Sequence, residues 1–472
     1  MKINVVVDAG KPVREKIKYG LALLLHPIRA EFAFTGSVPE NGVNIFYGQQ
    51  PPNKGGLLWL LPSKEFEDCI RESRLPDILH VEWFEFENRR LPKLFPVLPR
   101  GPSGTDSIFD FDVAAATFML GSEFQDLISL ERDEFDRLRA MDSLQDKLGV
   151  LDLPVVNYYS TLLRKKIEDI FSIKLETKKY GEADHALALT HDVDYTSSLN
   201  LRMIKRNVVG HAMLNNDGLT PNERAMKLLY PIFAIAGYDP PKTGLKFLRR
   251  IETQKELKST FFIKTGATAK QDVNYNYRSR SFSRFINSLI ERGFEIGIHP
   301  SMDTYIDANQ LQIEKGRLEK LAGTQINSVR QHYLKFTAGK TIGIWENAGI
   351  RYDSTLGFSR KAGYRNSIGF PFPLYNFRED RISTVAELPL VIMDGTFADN
   401  RSATPDETFQ KMTRLIDEAK AARGAASILF HNSLADPIDY PGYLGIFERL
   451  LAGAEDDGFK MDTLSEIVEC FC

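Results

Sequence analysis

Ala186-Leu187-Ala188-Leu189-Thr190-His191-Asp192-Val193-Asp194 is the stretch on which the fold reading turns. It follows a charged, glycine-containing boundary, Lys174–Asp184. An apolar run after such a boundary reads as a buried strand. Side chains at i and i+2 of a strand point the same way, so Asp192 and Asp194 project together from its end. Two carboxylates so placed suit a metal ligand and a base for a metal-activated water. An Asx turn or a helix cap would use the same residues.

Outward from this strand, apolar runs and helical patterns alternate. Ser259–Ile263, Phe294–Ile298, Ser328–Tyr333, Glu387–Ile392 and Ser427–Phe430 read as strands. Phe282–Arg292, Ala308–Leu321, Pro405–Arg423 and Gly442–Leu451 read as helices between them. Such alternation predicts a mainly parallel sheet or barrel over 183–472. Ser197–Lys242 interrupts it and reads as an insertion near the first strand, spanning about 197–242. Residues 1–180 read as a smaller α/β domain. Ile3–Val7, Val43–Tyr47 and Leu57–Leu61 are its expected strands, Val13–Leu25 a helix, and 137–148 and 158–170 carry helical periodicity. No glycine-rich phosphate loop or catalytic cluster stands out there, so an accessory role is expected.

In α/β barrels functional groups collect at the C-terminal ends of strands. Of eight histidines, His191, His299, His332 and His431 stand at or just past expected strand ends. His299 is followed by Pro300, which can open a helical turn. That turn would set His299 and Asp303 at i and i+4, close enough to share a metal. Alternation puts Arg330 and His332 on one side. His431 closes the run Leu429-Phe430. The plainer readings are core histidines, a cap at Asp303, and a structural ion pair between Arg330 and Asp192.

Composition excludes little. Lys plus Arg number 60 and Asp plus Glu 63, for a net charge of -3, which gives no basic face for nucleic acid. Cys69, Cys470 and Cys472 read as reduced bystanders. The longest apolar run near the N-terminus, Leu21–Leu25, is too short to span a membrane. With no signal-like segment, a cytoplasmic protein is expected; a chain with a trimmed leader would read the same.

Taken in order, these motifs resemble the polysaccharide deacetylase family (NodB-homology, carbohydrate esterase family 4). Ser259-Thr260-Phe261-Phe262 resembles the family's A-T-F-F strand, and Tyr352-Asp353-Ser354 its Y-D-S. Phe111–Leu120 and Asp152–Leu163 resemble an uncharacterised region that often precedes such domains. The resemblance implies a distorted (β/α) barrel and a divalent metal, zinc in the first instance. It implies a hydrolase removing an N- or O-acetyl group from a polysaccharide or glycan precursor. Asp192 matches the general base, Asp194 and His299 metal ligands, Arg330 the arginine that holds the base, and His431 the general acid. Leu429 matches the leucine of the acyl pocket, and Tyr333 stands where a backbone N–H would help hold an oxyanion. The sequence departs from the family where Asp303 replaces the second histidine of the metal motif and where His332 replaces a proline. Either could be the third ligand. Asp394 or Glu387 is expected to orient His431.

Two other readings use the same residues. One is a non-catalytic glycan-binding protein on this fold, and the other a hydrolase of a non-sugar amide such as a cyclic ureide. Tyr195, Tyr305, Tyr333, Phe336, Tyr364, Phe370, Phe372 and Tyr375 near the motifs favour a glycan, though core packing would also explain them.

Overall fold

The computed structural model describes the chain except residues 1, 53–55, 99–108, 201–203, 205–218, 274, 400–401 and 472. Cys472 and much of the expected 197–242 insertion therefore lie outside the described residues. Four parallel strands, β1 (Lys2–Val7), β2 (Glu31–Phe34), β3 (Val43–Tyr47) and β4 (Leu57–Leu60), form a small sheet in the order β2-β1-β3-β4. A hairpin of β5 (Glu82–Phe86) and β6 (Arg89–Lys93) follows. The helix Val113–Gly121 is apolar all round and wholly buried, as a helix of that composition must be. Asp112 caps it by accepting a hydrogen bond from the Ala115 amide at 3.0 Å. It crosses the helix Lys11–Leu25 where a Cβ on Gly20 would stand 2.2 Å from the Ala114 carbonyl oxygen, so only glycine allows the approach.

The large sheet has ten strands. They are β7 (Ala186–Val193), β8 (Thr260–Ile263), β9 (Glu295–Ile298), β10 (Ser328–Val329), β11 (Tyr352–Asp353), β12 (Phe372–Asn376), β13 (Arg381–Glu387), β14 (Leu390–Met393), β15 (Ala425–Leu429) and β16 (Lys460–Asp462). Their order is β12-β13-β11-β10-β9-β8-β7-β15-β14, and β16 pairs the first half of β7. Every pairing is parallel except β12 with β13. Helices such as Arg280–Ile290, Ala308–Ala322 and Pro405–Ala421 connect the strands. The result is a mixed α/β fold, a curled and unclosed barrel with a smaller α/β unit before it. One apolar core runs through both, and the Tyr19 hydroxyl donates to the Pro373 carbonyl at 2.8 Å between them.

Three expected elements differ. Residues 137–148 form no long helix: a 3-10 turn, Ala140–Asp142, and one α turn, Leu144–Lys147, replace it. The Asp133 and Ser143 side chains bond nearby backbone amides and so compete with helix. The strand expected over Ser328–Tyr333 stops at Val329: the Gln331 amide donates to the Thr355 hydroxyl at 3.0 Å instead of a neighbouring strand, and a 3-10 turn begins at His332, with Tyr333 and Leu334 left-handed at φ 62° and 52°. The run Glu387–Ile392 is two strands. Pro389 has no amide to continue a ladder, and the chain leaves β11 for β15 there. No helix among the described residues is long and apolar enough to cross a membrane.

Candidate active site

Parallel order sends the ends of β7, β8, β9, β10, β14 and β15 to one edge of the barrel. Asp194 and Lys264 directly follow β7 and β8, while His299, Asp394 and Arg330 directly follow β9, β14 and β10. His332 and His431 stand a little further along the last loops. Asp194, His299 and His332 each place a ligand atom within 4.8 Å of the other two. His299 Nε2 is 3.3 Å and His332 Nε2 3.5 Å from Asp194 Oδ1.

The partners on the far side of each ring decide what these atoms offer. His299 Nδ1 lies 2.6 Å from the Arg330 carbonyl oxygen, which can only accept, so this nitrogen carries the proton. His332 Nδ1 lies 2.6 Å from Asp272 Oδ1 and donates for the same reason. In the Nδ1–H tautomer each ring turns its Nε2 pair toward Asp194 Oδ1, which is buried and has no hydrogen-bond partner among the described residues. Three acceptors facing one another repel unless a cation stands between them. Two imidazoles oriented from behind by a carbonyl and a carboxylate, with a third ligand oxygen, form a donor set that fits a divalent ion such as zinc.

The charges around the cluster agree with this. Burial, then Lys264, push His332 down to about 4, so it is neutral near pH 7. Burial alone would raise Asp194, but it is held well below the usual carboxylate range, by a hydrogen bond and charge from His299 and by His332 when these rings carry a second proton, and by the Lys264 ammonium in either state. Lys264 is buried, and its Nζ lies 3.2 and 3.1 Å from Nδ1 and Nε2 of His332. In the ring plane such a position would collide with Cε1, so the ammonium lies over the ring face and leaves the Nε2 pair free. It also lies 3.9 Å from both Asp194 Oδ1 and Asp272 Oδ1.

Asp192 and His431 flank the cluster. Asp192 Oδ2 is 3.8 Å from His299 Nε2, and His431 Nε2 is 3.8 Å from Asp194 Oδ2. Asp394 holds His431 twice, through Nδ1 at 2.6 Å and the backbone amide at 2.7 Å. Burial lowers the His431 imidazolium, but Asp394, then Asp194 and Asp192, outweigh it and raise it to about 10. Leu429 is buried with Leu334 and Leu390, and Met393 packs against them; of these four, Leu334 and Met393 line the cavity and Leu429, expected in the acyl pocket, does not. That cavity holds about 380 Å³ and is lined by Asp192, Asp194, His299, His332, Tyr333 and His431 among others.

Several sequence expectations are not met by this geometry. Asp303 is exposed and outside the ligand group. Its i, i+4 relation to His299 required a helical turn from Pro300, but the turn, a 3-10 one, begins only at Met302. Arg330 does not clamp Asp192: Nη1 stands 3.9 Å from Oδ1, and its Nη2 donates to the Thr190 and Ser427 hydroxyls, each at 3.2 Å. Glu387 does not reach His431. It accepts from the Leu356 amide at 3.1 Å, and burial, then Asp353, push it well above its ordinary range. His191 points away, between the Phe430 carbonyl at 2.8 Å and Glu252 at 2.7 Å. Of the eight aromatics, Tyr195 and Tyr333 line the cavity, and the other six are buried core residues. Sequence reading missed Lys264 and Asp272. The strand-end rule could have found Lys264; Asp272 lies in a loop with no pattern to signal it.

A family model described as a family of unknown function, DUF7033, matches residues 9–172. No curated protein matches the sequence. Among solved structures, the chain is similar to one described as a probable polysaccharide deacetylase from Pseudomonas aeruginosa PAO1, with 14% identity over 62% of this chain and 92% of that one and a TM-score of 0.41. It is similar to Puue allantoinase at 14% identity, over 62% and 91%, with a TM-score of 0.41. It is also similar to a family 4 acetyl xylan esterase from Clostridium thermocellum in complex with a cobalt ion, at 16% identity over 60% and 90%, with a TM-score of 0.27.

Proposed function

We propose that residues 183–472 form a metal-dependent deacetylase domain that removes an N- or O-acetyl group from a polysaccharide or glycan precursor. Residues 1–180 form a second domain beside it. The observation that carries this reading is the convergence of three buried acceptor atoms, with Asp192 and the His431–Asp394 pair on its flanks. A divalent ion, zinc by the donor set, would be held by Asp194, His299 and His332 and would supply Lewis acidity toward the acyl oxygen and the attacking water.

The chain's own groups account for the proton movements. Asp192 accepts a proton as water adds to the acyl carbon. His431, kept protonated by Asp394, gives its proton to the leaving amine or alkoxide as the C–N or C–O bond breaks and acetate departs. Arg330 contributes positive field near Asp192 rather than a direct clamp. Leu334 and Met393 form the apolar lining on which an acyl methyl would rest, and Leu429, fully buried, backs them rather than facing the cavity.

The first test is elemental analysis of purified protein beside Asp194→Ala and His299→Ala, with acetate release from acetylated oligosaccharides. Near-stoichiometric metal, lost in both variants together with acetate release, is expected. No metal uptake even after zinc addition would refute the reading. It would favour a second one, for which Lys264 is the specific support: a glycan-binding site in which a buried ammonium already supplies the cation.

A further inference from the structure

The candidate cavity is not built by the barrel alone. Glu134, Phe135 and Arg137, from the smaller unit, line it alongside Tyr333, Ser359 and Arg360. They occupy a tight turn that the sequence builds locally. Asp133 Oδ1 accepts from the Phe135 amide at 2.9 Å and the Arg137 amide at 3.0 Å, an Asx turn closed by the Arg132–Leu138 bridge. Below it, Leu138 is buried with Leu151 and Phe358, which joins the turn to the barrel.

Three contacts then reach the site. Arg137, buried and paired with Asp133 at 2.7 Å, donates from Nη1 to the Tyr333 carbonyl at 2.6 Å. The Phe135 ring lies 4.8 Å from the Tyr333 ring, which lies 4.6 Å from that of His332. Glu134 pairs with Arg360 at 2.6 Å across the rim. A charge-assisted bond from a buried arginine to a residue held at φ 62° is a costly arrangement for a mere surface contact, and it fixes the loop that presents His332.

We propose that this turn is a wall of the substrate site, and that Phe135 with Tyr333 contacts the sugar ring next to the reacting acyl group. Arg137 is the positioning residue that holds the pair in place. The inference rests on the reading of the cavity as a glycan site and adds that the smaller unit selects the substrate. Carbohydrate rings present patches of C–H to apolar side chains, and loss of one aromatic contact of this kind weakens binding by roughly three- to tenfold.

The test is calorimetric titration of the full chain with two probes, penta-N-acetylchitopentaose and an acetylated xylo-oligosaccharide. The variants are Phe135→Ala, Phe135→Trp and Arg137→Ala, each checked for an unchanged melting curve. The expected result is binding of at least one probe by the parent protein, roughly three- to tenfold weaker in Phe135→Ala, restored in Phe135→Trp and weakened in Arg137→Ala. Parent-like binding by Phe135→Ala, or binding of neither probe by the parent protein, would overturn the proposal. Acetate release is scored separately: a parent protein that binds but releases none leaves the wall standing and sinks only the deacetylase reading.

Discussion

Asp272→Ala is the perturbation that tests most directly how the ligand set is built. Asp272 touches no proposed reacting atom. Its Oδ1 orients His332 through Nδ1 at 2.6 Å, while Oδ2 accepts from the Thr268 and Ala269 amides at 3.0 and 2.8 Å. Removing the carboxylate frees the ring to rotate and to exchange tautomers, so the Nε2 pair no longer faces Asp194. Losses of this kind weaken metal binding by about 10–100-fold, or roughly 1.4–2.7 kcal/mol. The assay is competition for zinc with a chromophoric chelator near neutral pH, on the parent protein, Asp272→Ala, His332→Ala and Asp303→Ala. Melting curves of the metal-free proteins separate lost affinity from lost structure, since the orphaned amides also cost stability. His332→Ala should be the weakest, Asp272→Ala intermediate, and Asp303→Ala like the parent. Parent-like affinity in Asp272→Ala, or a loss in Asp303→Ala as large as in His332→Ala, would refute the assignment.

Asp394→Asn removes the main charge that raises His431 to about 10, so the imidazolium loses its proton at lower pH and the alkaline limb of the pH–rate profile should move to lower pH; an unmoved limb would separate His431 from the proton-donor role. His26 is lowered from 6.5 to about 3, first by burial and then by Lys178. The unfolded chain therefore binds the extra proton first, and stability should fall as pH drops from about 6.5 toward 3, with His26→Phe flattening that slope in thermal melts. Gly244→Ala would place a Cβ 1.9 Å from the Asn432 carbonyl oxygen, a backbone atom beside His431; urea titration should read a loss of about 1–3 kcal/mol, and a neutral result would mean that the helix Pro240–Gln254 can shift away.

Much of the site was legible because strands impose short-range rules. Asp192 with Asp194, and His299 and His431 at strand ends, follow from an alternation that depends only on neighbours in the chain. The two histidine partners show where legibility ends. Asp394 directly follows β14 and was one of two expected partners for His431; Glu387, the other, is drawn instead to Asp353 and the Leu356 amide. Asp272 carries no periodic signal and meets His332 across 60 residues of sequence.

By itself the sequence determined the alternating α/β architecture, the common end of the barrel to which the polar groups go, and the chemistry those groups offer. Only the tertiary structure decided that His332, rather than Asp303, lies beside Asp194 and His299, that Arg330 Nη2 donates to Thr190 and Ser427, and that Phe135 reaches the cavity. The physical reason is range. Strand alternation and apolar periodicity are local and survive in one dimension. The turn after Pro300, the left-handed Tyr333 and the approach of the 133–137 turn depend on which loops the folded sheet brings together, and no local pattern encodes that.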